Sequence, residues 1–307
     1  MDVQQLKETL PRPLAFVLSG GAAMGAIQIG MLKALAEYQI EPDLIVGSSV
    51  GALNGAAIAN HGLQDGAVRL EKLWSRLDRQ DVFPGGRLAQ ARQVLSTQNS
   101  LFPNHGLAKI ICDMLTVETF DELQIPFAAL ATDVLTLHGA LFHSGKIDKA
   151  LLASTAIPGF FSPVQVGERH YADGGITANV PLNSAERMGA RSIIVLDAGE
   201  MCHRVQMPDN LLMYFDLGLQ GVMRQRVRIE APVIAAKMPL IYLPTPCPMI
   251  SDALDFSESV SLIDQSYHMT KMFFKAEPFP IAGQMTGAPH YHGDEPIFSL
   301  TELKSAE

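Results

Sequence analysis

The chain has 307 residues, of which 48% are hydrophobic and 18% charged, and carries a formal net charge of −9. That balance describes a globular protein with a substantial core and excludes a disordered one. The negative charge argues against nucleic acid as a partner and against electrostatic attraction to anionic membranes. Three cysteines, Cys112, Cys202 and Cys247, share no metal-type spacing and cannot all pair. Reduced, mostly buried thiols in a cytoplasmic compartment are expected from them.

After a polar N-terminal segment, Leu14-Ala15-Phe16-Val17-Leu18 predicts the first strand. Lys7 and Arg12 before this apolar run have the look of a signal peptide, but Asp2, Glu8 and the Gly20-Gly21 break argue against one. A Gly-rich loop, residues 19–25, leads to a helix with Ile27, Met31, Leu32 and Leu35 at helical spacing. Residues 44–46 predict a second strand, followed by a tight turn and a small-residue helix. Residues 14–32 and 44–64 carry no charge, yet Gly, Ser, Asn and Gln break both into strand, turn and helix, and neither is predicted to span a bilayer.

Residues 63–77 predict an amphipathic helix with Trp74 as a packing residue. Residues 78–104, with Pro, Gly-Gly and several polar residues, read as a connector that either partly covers the site or is simply an insertion. A helix is expected at about 107–115, strands at 126–132 and 138–142, and a short helix at 146–155. Short strands at 164–166 and 170–172 deliver Asp173-Gly174-Gly175 into a turn, and Asn179-Val180-Pro181 starts another helix. Residues 192–196 predict a buried strand ending at Asp197. Residues 211–230 and 260–274 predict helices, the second with Val260, Ile263, Tyr267 and Phe274 on one face. The expected organisation is one catalytic domain over 1–277 and an irregular Pro- and Gly-rich tail over 278–307.

The chemistry centres on residues 43–57, DLIVGSSVGALNGAA. Strand, then Gly-x-Ser-x-Gly, then helix is the context of a nucleophile elbow, with Ser49 at its tip. Gly47 and Gly51 supply the space that so tight a turn requires. The amides opening the helix point toward negative charge forming at Ser49. The loop at 20–25 is neither Gly-x-Gly-x-x-Gly nor a P-loop, so its amides are expected to face an oxyanion beside Ser49 rather than a nucleotide. A serine needs a base. The nine histidines are scattered, with only His268, His290 and His292 late enough for the usual Ser-acid-His order. Asp173, between a strand end and two glycines, is the stronger candidate, because Gly174 and Gly175 let the backbone approach another loop closely. A plain Asp-Gly hairpin turn is the competing reading of that dipeptide.

Taken in order, the Gly-rich loop at 20–25, GSSVG at 47–51, ASTAIPGFFSP at 153–163 and DGGITANVP at 173–181 make the chain resemble the patatin-like phospholipases over about residues 14–274. The resemblance implies a three-layer α/β/α sandwich with a mostly parallel central sheet. It implies Ser49 as nucleophile and Asp173 as acid and base of a Ser-Asp dyad. It implies an oxyanion loop of Gly20, Gly21 and Ala22, with the Gly21 and Ala22 amides as donors. No metal and no cofactor are implied. The expected partner is a lipid or other acyl ester, met at transient membrane-surface contact. Two positions depart from the family pattern. Ala22 stands where a Gly is usual and is acceptable only at negative φ, and Met24 replaces a usual Arg or Lys. Lipid acyl hydrolysis through an acyl-Ser49 intermediate is the expected function. Acyl transfer from the same intermediate, and a catalytically weak lipid-binding or regulatory role, are the alternatives.

Overall fold

The computed structural model describes residues 3–97, 100–198, 207, 211–246, 254–276, 283, 285–287, 291–292 and 295–296. Val3–Thr9 forms a short helix (α1) and Leu14–Leu18 the first strand (β1). Ala26–Glu37 (α2), Leu44–Ser48 (β2), Val50–His61 (α3) and Leu63–Trp74 (α4) follow. Arg79–Val82 (α5), Arg87–Thr97 (α6), Ser100–Phe102 (β3) and His105–Met114 (α7) precede Phe127–Asp133 (β4) and Gly139–Phe142 (β5). Ile147–Ser154 (α8), Gly159–Phe161 (β6), Val164–Val166 (β7) and Arg169–Asp173 (β8) come next. Gly175–Ala178 (α9) and Leu182–Arg187 (α10) then lead to Ser192–Leu196 (β9). Leu211–Ala235 (α11), Leu240–Tyr242 (β10), Ser259–Ala276 (α12), Met285–Thr286 (β11), Tyr291–His292 (β12) and Glu295–Pro296 (β13) complete the order.

The main sheet runs β11-β10-β9-β1-β2-β4-β8-β7, with β5 also paired to β4. The pairs from β11 across to β4 are parallel, and β4 with β5, β4 with β8 and β7 with β8 are antiparallel. Side-chain alternation divides the core in two. Leu14, Phe16 and Leu18 pack with α2, α3, α4, α7, α8 and α12 on one face. Ala15 and Val17 pack with α10 and α11 on the other. Both faces of the central strands are covered, which is why they read as continuous apolar runs. The fold is a three-layer α/β/α arrangement with a mostly parallel central sheet. Because β1, β2 and β9 run parallel and in register, the loops after Leu18, Ser48 and Leu196 emerge at one edge.

Several expectations need correction. The connector at 78–104 has structure that the sequence reading did not place: it contains α5, α6 and β3, and β3 pairs with β6. Asp78 caps α5, its carboxylate accepting the Gln80 and Asp81 amides, so a polar stretch conceals a helix start. The tail is not wholly irregular either, since β11 extends the sheet beside β10. Val260 is 59% exposed, whereas Ile263 and Phe274 are buried. The inward face of α12 is instead carried by Leu262, Ile263, Ser266, Thr270, Phe273 and Phe274. Cys112 is free and exposed rather than buried, and Cys202 and Cys247 lie outside the described residues. Among the described residues, no helix is long and apolar enough to cross a membrane.

Candidate active site

Because β2 ends at Ser48 and α3 begins at Val50, Ser49 alone makes the turn. Its φ of 53° and ψ of −127° lie in a region costly for an L residue, by on the order of 1–3 kcal/mol. Neighbours without side chains make the turn sterically feasible. A Cβ on Gly47 would stand 2.4 Å from Gly51 O, and one on Gly51 would stand 2.4 Å from both Leu18 O and Ser19 O. Hydrogen bonds hold it in place. Ser49 N–H donates to Ser154 Oγ at 3.0 Å, and the Ser154 hydroxyl donates to Leu130 O at 2.6 Å.

Asp173 arrives at the end of β8. Its N–H donates to Ala156 O and that of Gly174 donates to Ser154 O, so the 154–156 segment ties this strand end to the elbow. Ser49 Oγ donates to Asp173 Oδ2 at 2.6 Å, and Gly175 N–H donates to Oδ1 at 2.7 Å. Both Ser49 and Asp173 are buried. Burial pushes the Asp173 carboxyl up to about 6, against the opposing pull of the Ser49 and Gly175 hydrogen bonds. Such a group is ionised at neutral pH yet accepts a proton readily, as a general base must. Gly174 and Gly175 do not form the competing hairpin turn: Gly174 caps α9 with helical angles. Its need for glycine is steric, since a Cβ there would lie 2.2 Å from Leu130 O.

The loop at 20–25 lies against the elbow, where a Cβ on Gly20 would approach Ser49 Cβ to 3.1 Å. Gly20 N–H is engaged, donating to Asn179 O at 3.1 Å, and Asn179 Nδ2 donates back to Gly20 O at 3.3 Å. The Gly21 and Ala22 amides donate to no described atom, which leaves them free for a ligand oxygen. Ala22 has φ of 48°, contrary to the requirement for negative φ. The chain therefore carries left-handed backbone strain at Ala22, of roughly 1–2 kcal/mol, where a Gly would carry none. Met24 is 7% exposed and packs in the apolar core, so its side chain is part of the fold's interior.

A cleft opens from Ser49 and Ala22, with about 580 Å³ of unfilled space including the solvent at its mouth. Its wall is almost wholly apolar, from Leu53, Trp74, Phe83, Ile110, Phe161 and Phe256 among others. Trp74 is thus a cleft residue as well as a packing one. Among the described residues, no histidine hydrogen-bonds to Ser49 or Asp173. His268 instead faces Asp264 at 3.5 Å on the exposed side of α12, His292 lies in β12, and His290 is outside the described residues.

A second serine-aspartate pair underlies the loop. Ser19 Oγ donates to Asp197 Oδ1 at 2.7 Å and accepts from Ala198 N–H at 2.7 Å. The Tyr242 hydroxyl donates to Asp197 Oδ2. Ser154 and Asn179 lie inside the motifs at 153–163 and 173–181, but sequence reasoning gave them no role. Their contacts join segments far apart in the chain, and no local pattern signals them.

The Patatin family model, described as patatin-like phospholipase, matches residues 16–186, more than half of the chain. The chain belongs to the patatin-like phospholipase family. Patatin-like phospholipase domain-containing protein 7 of Mus musculus is 28% identical over 191 residues, 61% of this chain and 14% of that protein. Neuropathy target esterase sws of Drosophila melanogaster is 28% identical over 188 residues, 61% of this chain and 13% of the relative. An uncharacterised NTE family protein of Mycobacterium bovis is 32% identical over 169 residues, covering 55% of this chain and 44% of the relative. The chain thus spans less than half the length of each. Among solved structures, VipD from Legionella pneumophila aligns with a TM-score of 0.42 at 15% identity, over 85% of this chain and 67% of that one.

Proposed function

We propose that this chain hydrolyses carboxylic ester bonds of lipids, with Ser49 as nucleophile and Asp173 as its acid and base. The observation that carries the reading is the buried 2.6 Å hydrogen bond from Ser49 Oγ to Asp173, made by a strained serine at the head of a 12-residue helix and facing an apolar cleft. The family supports lipid hydrolysis, and relatives carry the names phospholipase and esterase.

Attack of Ser49 Oγ on the ester carbonyl forms the C–O bond while the hydroxyl proton passes to Asp173. The carbonyl oxygen becomes an oxyanion facing the Gly21 and Ala22 amides and the amino end of α3. Collapse breaks the bond to the leaving alcohol, which takes the proton from Asp173 and leaves an acyl-Ser49. Water then attacks, giving its proton to Asp173. The second collapse releases the fatty acid and returns the proton to Ser49 Oγ. The acyl chain lies in the cleft, whose apolar wall suits hydrocarbon.

A fluorophosphonate probe followed by peptide mass spectrometry tests this reading. The expected adduct is on Ser49 alone, and Ser49→Ala is expected to reduce release of fatty acid from a mixed lipid pool to background. An adduct on Ser48 would sink the elbow assignment. The same assay with an added alcohol acceptor separates hydrolysis from acyl transfer, since transfer yields a new ester in place of fatty acid.

A further inference from the structure

Beneath the glycine loop runs a line of buried amides. Trp74 Nε1 donates to Asn54 Oδ1 at 3.0 Å. Asn54 Nδ2 donates to Gln28 Oε1 at 2.8 Å and to Gly25 O at 3.2 Å. Gln28 Nε2 donates to Ser19 O at 2.9 Å and to Leu196 O at 3.0 Å. The three side chains come from α4, α3 and α2, and all are buried. An indole N–H can only donate, so Trp74 dictates which way the Asn54 amide faces, and Asn54 dictates Gln28. The line ends on Ser19 O before the loop and on Gly25 O at its close. Between those two anchors lie the Gly21 and Ala22 amides.

Two further observations give this line a task beyond packing. Ala22 sits at φ of 48°, a conformation that relaxes unless the ends of its segment are held. Trp74 and Asn54 also line the cleft together with Ala22 and Ser49. An apolar wall has no use for an amide at that place unless the amide is engaged elsewhere, and here every Asn54 polar atom is engaged.

We infer that Trp74, Asn54 and Gln28 form a positioning relay that holds the strained oxyanion loop, so that an acyl chain filling the cleft bears directly on the loop's geometry. The inference rests on the Ser49 reading above. The relay acts through the loop amides, which meet the oxyanion only as it forms. Its loss therefore belongs in kcat, whereas loss of cleft packing belongs in KM.

The experiment is steady-state kinetics on a medium-chain nitrophenyl ester, with fluorophosphonate titration to count competent sites. Trp74→Phe removes the N–H and keeps a ring against Phe256, whose centroid lies 5.8 Å from that of Trp74. We expect kcat per titrated site to fall on the order of tenfold with KM changed less than about threefold. In an Ala22→Gly background the loop conformation carries no strain, and the same substitution is expected to lower kcat by less than about threefold. An unchanged kcat in Trp74→Phe, a loss confined to KM, or an equal kcat loss in both backgrounds each overturns the relay. Ser49→Ala serves as the control. If it abolishes turnover while Trp74→Phe leaves kcat intact, the relay alone fails; if it retains turnover, the dyad fails and the relay with it.

Discussion

Ser49 with Asp173 and Ser19 with Asp197 are both buried serine-aspartate pairs at strand ends, with oxygen separations of 2.6 and 2.7 Å. Distance does not distinguish them; their surroundings do. The Ser19 hydroxyl also accepts the Ala198 amide, and the second Asp197 oxygen is occupied by the Tyr242 hydroxyl. Ser49 Oγ accepts no hydrogen bond from a described residue, sits on strained backbone and faces a cleft. The saturated pair is a fixture that closes the junction of β1, β9 and β10. The open pair keeps a lone pair available for a carbonyl carbon. If Ser49 is the nucleophile, as proposed, its reactivity follows from what is withheld from a serine as much as from the carboxylate supplied to it.

The comparison breaks most visibly at Asp173. Asp173→Asn removes the proposed base, and initial rates are expected to fall by on the order of 10²–10⁴-fold with the fold retained by circular dichroism. In the unmodified protein kcat/KM is expected to fall below about pH 6 as Asp173 takes up its proton. A profile flat down to pH 4.5 would remove Asp173 from the role of base.

The same group has a stability consequence of definite sign. Its folded pKa lies above the unfolded value, at about 6 against 3.8. The native state therefore holds a proton that the unfolded chain has released, and this group's contribution to stability falls as pH rises from about 4 to about 6. Above that window the cost stays constant at about 3 kcal/mol. Asp173→Asn should accordingly be the more stable protein at pH 8, with the difference shrinking below pH 4. Chemical denaturation of both proteins at the two pH values measures it, and equal differences at both would show that burial does not raise this carboxyl.

Ser19→Ala sharpens the contrast. It leaves Asp197 and the Ala198 amide each short of a partner in the core, and is expected to cost about 1–3 kcal/mol of stability. Its effect on fluorophosphonate labelling per folded molecule should be far smaller than that of Asp173→Asn. A labelling rate that falls as far as that of Asp173→Asn would put the two pairs in one catalytic unit. The smallest effect belongs to Ala22→Gly. Relief of left-handed strain, partly offset by glycine's freedom in the unfolded chain, should stabilise the protein by no more than about 1 kcal/mol. A clear destabilisation would mean that the alanine methyl group contributes packing that outweighs its backbone cost.

The legible parts of this molecule were those whose cause is local. β1, β2 and β9 are built around short apolar runs, and each lies where its run put it, although β2 continues two residues further, through Gly47 and Ser48. The elbow was legible because Gly47 and Gly51 can serve few other purposes on either side of Ser49. β6, β10 and β11 span only two or three residues each, too short for any period to show. Ser154, Asn179, Gln28 and Asn54 were silent because their partners lie across the fold, up to 168 residues away for Gln28 and Leu196. Ala22 was misjudged for the same reason: the ties that hold its unfavourable φ come from distant segments.

Gly30 carries a consequence for where this chain can be cut. A Cβ there would lie 2.1 Å from Ser266 Oγ and 2.2 Å from Ile263 O, so α2 and α12 meet backbone to backbone. Glu37 on α2 binds Tyr267 and Lys271 of α12 near the same contact. The family match ends at residue 186, and a fragment ending there keeps Ser49, Asp173 and the glycine loop. It loses β9, which pairs with β1 along its whole length, and the helix against which α2 is seated. A gene segment drawn at the family boundary would thus encode the proposed nucleophile, base and oxyanion loop and too little scaffold to hold them, so the module that can be transplanted is larger than the one that is recognised.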